Sequence, residues 1–189
     1  QTCALPILPQ NRPHRQAVNL RKQGRARMES KPAEALTYFE KALDICYFCH
    51  KPRDPGSYIT LEYAARTHVK LEQYDQALAR YDTLLHYLSP ERLLLTEREQ
   101  QIWMVRTYTN IADCYMAMQD YRKAKETLDL VDLTFENPTK DWWIAQSDYL
   151  DQRIEWGLAQ QDLRKAVSYY KEKDAVKDSL YHAQEADLI

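Results

Sequence analysis

Residues 108–131 read YTNIADCYMAMQDYRKAKETLDLV and carry the clearest indication of the fold. The small Ala112 precedes Ala124 by twelve residues, and the large Leu128 follows Ala124 by four. A small residue on one helix lets a second helix approach closely, and a large residue one turn further along fills the adjoining gap. The stretch therefore predicts two antiparallel helices that interlock.

The same pattern occurs four times along the chain. The repeated alanines are separated by 42, 47 and 42 residues and are Ala35, Ala77, Ala124 and Ala166. Each is followed four residues on by a large side chain, namely Phe39, Tyr81, Leu128 and Tyr170. A small residue precedes the first three alanines by eleven or twelve positions (Gly24, Ala65, Ala112), whereas the fourth copy has Ile154 there. Because each helix pair leaves an apolar face that the next pair covers, the repeats predict a stack of pairs.

This pattern resembles the tetratricopeptide repeat family. The matching positions are Leu20, Gly24, Ala35, Phe39 and Ala42 in the first copy, Leu61, Ala65, His68, Tyr74, Ala77, Tyr81 and Leu84 in the second, and Tyr108, Ile111, Ala112, Tyr115, Tyr121, Ala124, Leu128 and Val131 in the third. The resemblance covers residues 17 to about 175 and implies an all-α fold: an α-solenoid of about four antiparallel helix pairs, wound as a right-handed superhelix, with a long C-terminal helix. Helices are expected at 14–29, 32–49, 57–71, 74–88, 90–118, 121–135, 140–160 and 162–187.

Three segments are expected along the chain. Residues 1–13 include Cys3-Ala4-Leu5-Pro6-Ile7, which resembles a translated sequencing adapter, and their prolines disfavour helix, so we expect a non-native or disordered leader. The repeat domain is expected at 14–175, in pairs at about 14–50, 57–88, 90–135 and 140–175, with Ser89 and Pro90 predicting the start of its fifth helix. No Gly or Pro ends the pattern after it, so residues 176–189 are expected to be an exit helix that continues into a missing segment.

The composition excludes several classes of protein. Three glycines are too few and too scattered for a phosphate-binding loop, and no 18-residue apolar run can span a membrane. No order of Ser, His, Asp or Cys matches a nucleophile motif, so we predict no enzymatic activity, cofactor or small-molecule substrate. Residues 1–31 hold seven Lys or Arg and one acid, which favours a solvated basic helix; nucleic-acid binding by this helix is the alternative.

Cys46-Tyr47-Phe48-Cys49-His50 is the motif with the sharpest chemical meaning. The C-x-x-C-H spacing suits covalent haem attachment with His50 as an axial ligand, and the same side chains suit a metal site. The structural interpretation is that Cys46 continues an inward stripe of Phe39 and Leu43, where cysteine acts as a small hydrophobe. We favour the structural interpretation, because a thin stack of helix pairs offers no apolar haem pocket.

The first helix of each pair is expected to line a concave groove. Counting from the small residue predicts that the groove is basic at its N-terminal end and acidic at its C-terminal end, so that it selects a protein or peptide of complementary charge. Solvated helix faces are the alternative interpretation. The predicted groove residues are Arg21, Arg25, Glu62, Arg66, Lys70, Arg106, Thr109, Asp113, Asp151 and Glu155.

The last helix carries two further predictions. A loose three-and-four spacing suits a seam against another helix, and hence self-association, through Ala166, Tyr169, Val176, Leu180 and Ala183. The string Lys177-Asp178-Ser179-Leu180-Tyr181 resembles the exit of repeat arrays in signalling and transcriptional regulators of Bacteroidetes. That resemblance implies the sensory or interaction segment of a bacterial regulator. The compartment stays open: cytoplasmic, or periplasmic if the full-length protein is a membrane-tethered sensor.

Overall fold

The computed structural model describes residues 11–50, 55–88, 95–131 and 140–186, and the side chains of most of them. Within these ranges the regular structure is entirely helical. The helices are α1 (Asn11–Arg27), α2 (Pro32–His50), α3 (Pro55–Lys70), α4 (Tyr74–Tyr87), α5 (Glu97–Ala117), α6 (Tyr121–Asp129), α7 (Lys140–Ala159) and α8 (Leu163–Ala186). This confirms the predicted all-α class of repeated helix pairs. No helix in the described ranges combines the length and hydrophobicity that a bilayer-crossing segment needs.

The chain divides into two compact units, Gln1–Leu94 and Leu95–Ile189. The first unit contains α1–α4 and the second contains α5–α8. In each unit the two consecutive helix pairs pack against one another, so that each pair covers part of the apolar face of its neighbour.

In the first unit, the interlock predicted for the first repeat is confirmed. Gly24 of α1 faces Phe39 of α2 so closely that a Cβ atom on Gly24 would lie 2.6 Å from Phe39 Cε1. The Phe39 ring is fully buried and stacks on Tyr63 of α3, with 5.6 Å between the ring centroids. Aromatic pairs at this separation stabilise a fold beyond the area that they bury. Phe39 therefore joins the first pair to the second.

In the second unit, the small residue of the last pair is Gly157 rather than the residue at position 154. A Cβ atom on Gly157 would lie 3.2 Å from the Ala166 backbone nitrogen, so α7 and α8 approach most closely there. Ile154 is buried, one turn earlier on α7. The fourth copy thus has its small-residue contact three positions further along α7, while its linking turn keeps the register of the other copies.

Three of the linking turns share one backbone conformation. Glu72, Gln119 and Gln161 each have a positive φ, of 58°, 61° and 58°, and each stands five residues before its repeat alanine. The next residue donates its N–H to a carbonyl five positions back, as in Asp120 to Tyr115 and Asp162 to Gly157. This is the Schellman arrangement that satisfies the last carbonyls of a helix. Asp120 and Asp162 then cap the following helix at the N–H of Lys123 and Lys165.

Three helix boundaries differ from the predicted ones by three residues or more. α5 begins at Glu97, not at position 90, because Thr96 and Glu99 form a reciprocal capping box; residues 89–94 lie outside the described ranges. α6 ends at Asp129 rather than at 135, with a turn at residues 130–131. α1 begins at Asn11, three residues before the predicted start, since Pro13 is tolerated in a first turn.

Candidate functional site

In the first unit, the predicted groove residues divide into packed and exposed side chains. Glu62 is only 3% exposed, so it does not contribute to the accessible surface. Arg21 is half-buried and donates from Nη1 to the Gly56 carbonyl at 2.9 Å, which ties α1 to the start of α3. Both side chains therefore contribute to packing within the unit.

The exposed groove residues of the first unit are basic. Arg25 lies over the Tyr63 ring, with its Cζ atom 5.9 Å from the centroid, and Arg66 is exposed on α3. Lys70 pairs with Glu29 at 2.7 Å, an exposed contact of small energetic value. With 14 basic and 10 acidic residues in 1–94, this unit is positively charged, as the sequence predicts for the N-terminal part of the chain.

In the second unit, the predicted residues lie on α5 and α7. Thr109 is 6% exposed and its Oγ1 donates to the Val105 carbonyl at 2.8 Å, so it is packed within the helix surface. Arg106 is half-buried beside Trp103, with its Cζ atom 5.0 Å from the indole centroid. The aromatic face holds the guanidinium against α5 through a cation–π contact.

Three of the predicted acidic residues lie close together in this unit. Partial burial, followed by the charges of Asp113 and Asp151, raises the pKa of Glu155 above its ordinary value. Asp113 is on α5, whereas Asp151 and Glu155 lie one turn apart on α7. Asp151 also accepts a hydrogen bond from Lys173 of α8, which offsets part of the charge. The structure thus brings three predicted groove residues from two helices onto one negatively charged surface.

A cleft of about 450 Å³ lies between α5 and α7, on the same helix faces. Its lining residues are Glu99, Ile102, Trp103, Arg106, Ile144 and Asp148. Only Arg106 was predicted from the sequence. The missed residues do carry a signal in the sequence, because the lining follows the three-and-four spacing of one helix face. On α5 the positions on this face are 99, 102, 103 and 106, and on α7 they are 144, 148, 151 and 155. We call this surface, the cleft together with Asp113, Asp151 and Glu155, the α5–α7 face.

A second depression lies along α1, and all of its lining residues belong to this one helix. About 580 Å³ of space is bounded by Arg15, Gln16, Asn19, Leu20 and Gln23. A site built from one helix face has no opposing wall to enclose a ligand, in contrast to the cleft between α5 and α7. Its lining includes one basic residue, Arg15, and the predicted alternative of nucleic-acid binding by this helix stays a prediction.

The C-x-x-C-H motif is only partly within the described side chains. Cys46 is 4% exposed and carries a free thiol on the face of α2 that also buries Phe39 and Leu43, as the structural interpretation predicts. The side chains of Cys49 and His50 lie outside the described set, so the haem and metal alternatives stay untested. Among the described residues, no three His, Cys, Asp or Glu side chains are grouped as metal ligands.

His68 of the second repeat and two tryptophan side chains are packing residues. His68 is 8% exposed and its Nδ1 lies 2.8 Å from Gln73 Oε1, at the turn that ends α3. Trp143 and Trp156 are buried in the core of the second unit, and Trp156 Nε1 donates to the Tyr121 carbonyl at 3.0 Å. The side chain of Trp142 lies outside the described set.

A protein-family comparison matches residues 105–131 to the family described as Tetratricopeptide repeat. The match includes most of α5, all of α6 and the stretch with which the sequence argument began. No curated protein matches the chain. The match supports the predicted resemblance in the third helix pair. Repeats of this type generally serve as scaffolds for protein–protein interaction, and the match supports such a scaffold role for this chain.

Proposed function

We propose that this protein is an interaction scaffold whose second unit binds a segment of a partner protein on the α5–α7 face. The observation that carries the proposal is the cleft between α5 and α7, which combines apolar walls with charged rims. Its volume of about 450 Å³ lies within the range of roughly 300–1,000 Å³ that is usual for ligand sites. Both walls belong to helices, which hold side chains more rigidly than loops do.

The apolar part of the cleft suits one large aliphatic or aromatic side chain of the partner. Ile102 and Trp103 lie on α5 and Ile144 on α7, and Ile144 is 44% exposed in the unbound chain. Burial of such surfaces contributes about 25 cal/mol per Å² of apolar area. Tryptophan is among the residues that most often dominate binding energy in protein interfaces. Trp103 is therefore the proposed anchor of the site.

The charges around the cleft select a positively charged partner. Glu99 and Asp148 are part of the cleft lining, and Asp113, Asp151 and Glu155 extend the negative surface along the same two helix faces. Residues 95–189 hold 18 acidic and 12 basic side chains, so the wider field has the same sign. Complementary charge increases the association rate and disfavours acidic competitors. The proposed ligand is an extended or helical segment with Lys or Arg next to one large apolar residue.

Selection from a random dodecapeptide library displayed on phage tests this function. The full chain is immobilised, and the enriched peptides are synthesised and titrated by fluorescence anisotropy. Trp103→Ala is expected to weaken their binding at least about tenfold, the loss of ~1.4 kcal/mol or more that marks an anchor residue. Asp148→Lys is expected to weaken the binding of cationic peptides and to strengthen the binding of acidic ones.

Leu130→Ala is the matched control, because Leu130 is 62% exposed in the same unit and lies outside the cleft. It is expected to leave binding unchanged. Circular dichroism of each variant separates loss of binding from loss of fold. If the peptides bind the Trp103→Ala protein as tightly as the wild type, the binding surface lies elsewhere.

We also propose that this scaffold is the sensory or interaction segment of a bacterial signalling or transcriptional regulator. The support is the resemblance of Lys177–Tyr181 to the exit of such arrays, together with its position on α8, which remains helical to Ala186. Sequencing the native gene through both ends tests this context. A downstream kinase or helix-turn-helix domain would support a regulator, whereas a stop codon just after Ile189 would point to a free-standing adaptor.

A further inference from the structure

α8 exposes four large apolar side chains, and they lie on one stripe. Leu163, Val167, Tyr170 and Tyr181 are 65%, 51%, 51% and 64% exposed. They are separated by four, three and eleven residues, and each of these spacings is close to a whole number of helical turns. The four side chains therefore lie on the same side of α8. Asp174 and Lys177 occupy the two positions of the stripe between Tyr170 and Tyr181. We call these six positions the outer stripe.

The outer stripe is separate from the face that attaches α8 to its own unit. Ala166 and Val176 are buried against the core, Tyr169 is half-buried, and Lys173 pairs with Asp151 of α7. These positions lie on average about 100° around the helix axis from the outer stripe. Packing within the unit therefore does not account for the exposed side chains of the stripe.

We propose that the outer stripe pairs with the outer stripe of a second copy of this chain, in antiparallel orientation. The alternation of four and three residues along it is the spacing of a two-helix seam. A twofold axis near position 172 places Leu163 opposite Tyr181, Val167 opposite Lys177, and Tyr170 opposite Asp174 of the second copy. In a twofold dimer every such contact is made twice.

The polar members of the outer stripe fit this register. The Asp174 carboxylate can accept a hydrogen bond from the Tyr170 hydroxyl of the second copy. The aliphatic stem of Lys177 can cover Val167 while its ammonium group reaches water. Neither group is therefore left buried without a partner.

Charge on the flank of the stripe selects the antiparallel orientation. Arg164, Lys171 and Asp178 are exposed, follow one another at seven-residue intervals, and lie on the side of the stripe away from α7. The antiparallel pair places Arg164 opposite Asp178 of the second copy, at both ends of the seam. In a parallel pair this flank would face the opposite, α7-facing flank of the second copy, so Arg164 and Asp178 would not meet. Lys171 lies near the twofold axis, where its long side chain can turn into solvent.

Sedimentation equilibrium of the full chain over a concentration series tests the proposal. The wild type is expected to show a monomer–dimer equilibrium that weakens as salt is added, because Arg164 and Asp178 attract each other. Arg164→Asp and Asp178→Arg are each expected to weaken dimerisation at least about fivefold, because each creates two like-charge contacts. The double variant is expected to regain most of the wild-type affinity, since it restores opposite charges in reversed order.

Two further variants complete the test. Val167→Glu places a charge in the seam and is expected to abolish the dimer. Glu172→Lys is the matched control: Glu172 is exposed on the side of α8 opposite the outer stripe, and its reversal is expected to change nothing. A wild type that stays monomeric throughout, a dimer that tolerates Val167→Glu, or a double swap that fails to restore affinity would each overturn the proposal.

Discussion

The guanidinium group of Arg153 lies 2.8 Å from the Asp129 carboxylate, and this contact joins α7 to α6. Arg153 is 6% exposed, and its Nε donates to the Tyr149 hydroxyl at 2.7 Å. Its Cζ atom lies 5.9 Å from the centroid of Tyr169 on α8. One buried cation is therefore in contact with three consecutive helices of the second unit. A cation in such a position stabilises a fold only while its partners are present.

Asp129→Asn is expected to destabilise the second unit by about 1–3 kcal/mol, because it leaves the Arg153 charge without its anionic partner. Urea unfolding followed by circular dichroism measures the change. Lys125→Ala is the control, since Lys125 pairs with the same carboxylate but is exposed. Its loss is expected to cost under ~1 kcal/mol. Equal effects of the two substitutions would contradict the special role of Arg153.

The same carboxylate gives a pH dependence of stability. Partial burial acts to raise the pKa of Asp129, but hydrogen bonds from Lys125 and Arg153 outweigh it and hold the pKa below its ordinary value. Because the native pKa is lower than the unfolded one, the ionised group stabilises the fold above about pH 4, and this contribution is lost as the pH falls through the native pKa. Unfolding free energies measured down to about pH 3 should fall less steeply for Asp129→Asn than for the wild type.

Gly24→Ala is expected to destabilise the first unit by about 1–3 kcal/mol, although alanine favours helix. The added methyl group would lie 2.6 Å from a Phe39 ring that is fully buried and has no free space to enter. Thermal unfolding measures the loss. In a double-mutant cycle with Phe39→Leu, the cost of Gly24→Ala should become smaller, because the smaller side chain leaves room for the methyl group. An additive cycle would contradict the proposed clash.

The first three helix pairs could be predicted from the sequence because the small and large residues that make the pattern are buried in them. In the fourth copy the prediction was wrong for Tyr170, which is 51% exposed. The predicted start of α5 was wrong because two helix-start signals compete there. Ser89-Pro90 and Thr96-x-x-Glu99 are both good helix starts, and the reciprocal hydrogen bonds of the second place the start of α5 at Glu97. Ile154 was placed at the small position by alignment alone. The close contact lies at Gly157 instead, three positions further along α7, where the backbone approaches Ala166.

Gln161→Gly is expected to stabilise the α7–α8 turn by up to about 1 kcal/mol. Gln161 has a φ of 58°, a conformation that costs a residue with a side chain roughly 1–2 kcal/mol and glycine almost nothing. The greater freedom of glycine in the unfolded chain cancels part of the gain. Gln160→Gly is the control, because Gln160 does not have a positive φ, and this substitution should destabilise. Chemical unfolding measures the free energy of unfolding of each variant, which should rise for Gln161→Gly and fall for Gln160→Gly.

Cys46 and Cys114 are expected to react slowly with a thiol reagent in the folded protein. Both are buried, and burial, together with the charge of Asp113, raises the pKa of the Cys114 thiol to about 12. Very little of the Cys114 thiol is therefore in the reactive thiolate form near pH 8, and burial shields Cys46 from the reagent. The variant Cys3→Ser/Cys49→Ser isolates these two thiols. Labelling by maleimide should be slow without denaturant and fast in it, and fast labelling of the native protein would show that α2 or α5 opens readily.

The candidate site was predicted less completely than the fold, for a physical reason. Helix periodicity places residues on a face, and the charges of Asp113 and Asp151, two of the predicted groove residues, act on Glu155, a third. It does not give the separation between two helices, which is set by packing along their whole length. The cleft at Trp103 and Ile144 depends on that separation, so most of its lining was missed. Thr109, which was predicted to line the groove, is only 6% exposed, and its burial likewise depends on how closely the helices pack.

Glu155→Gln is expected to stabilise the second unit and to weaken binding of cationic peptides. Partial burial and the charges of Asp113 and Asp151 raise the pKa of Glu155 in the fold. Its ionised form is therefore less favourable in the native than in the unfolded chain, and this penalty grows as the pH rises through the native pKa. The group is partly exposed to solvent, so the gain from Glu155→Gln at neutral pH should be only a few tenths of a kcal/mol, and it should vanish below about pH 4.

The loss of one negative charge from the α5–α7 face is expected to weaken the binding of cationic peptides about two- to fivefold at low salt. The effect should be smaller at high salt, because salt screens the charge. Glu126→Gln is the control, because Glu126 is an exposed carboxylate of α6 that pairs with Arg122. Opposite signs for stability and binding at position 155 would mean that the clustered carboxylates are unfavourable for the fold and favourable for the ligand. Weaker stability together with unchanged binding would mean instead that Glu155 contributes only to packing.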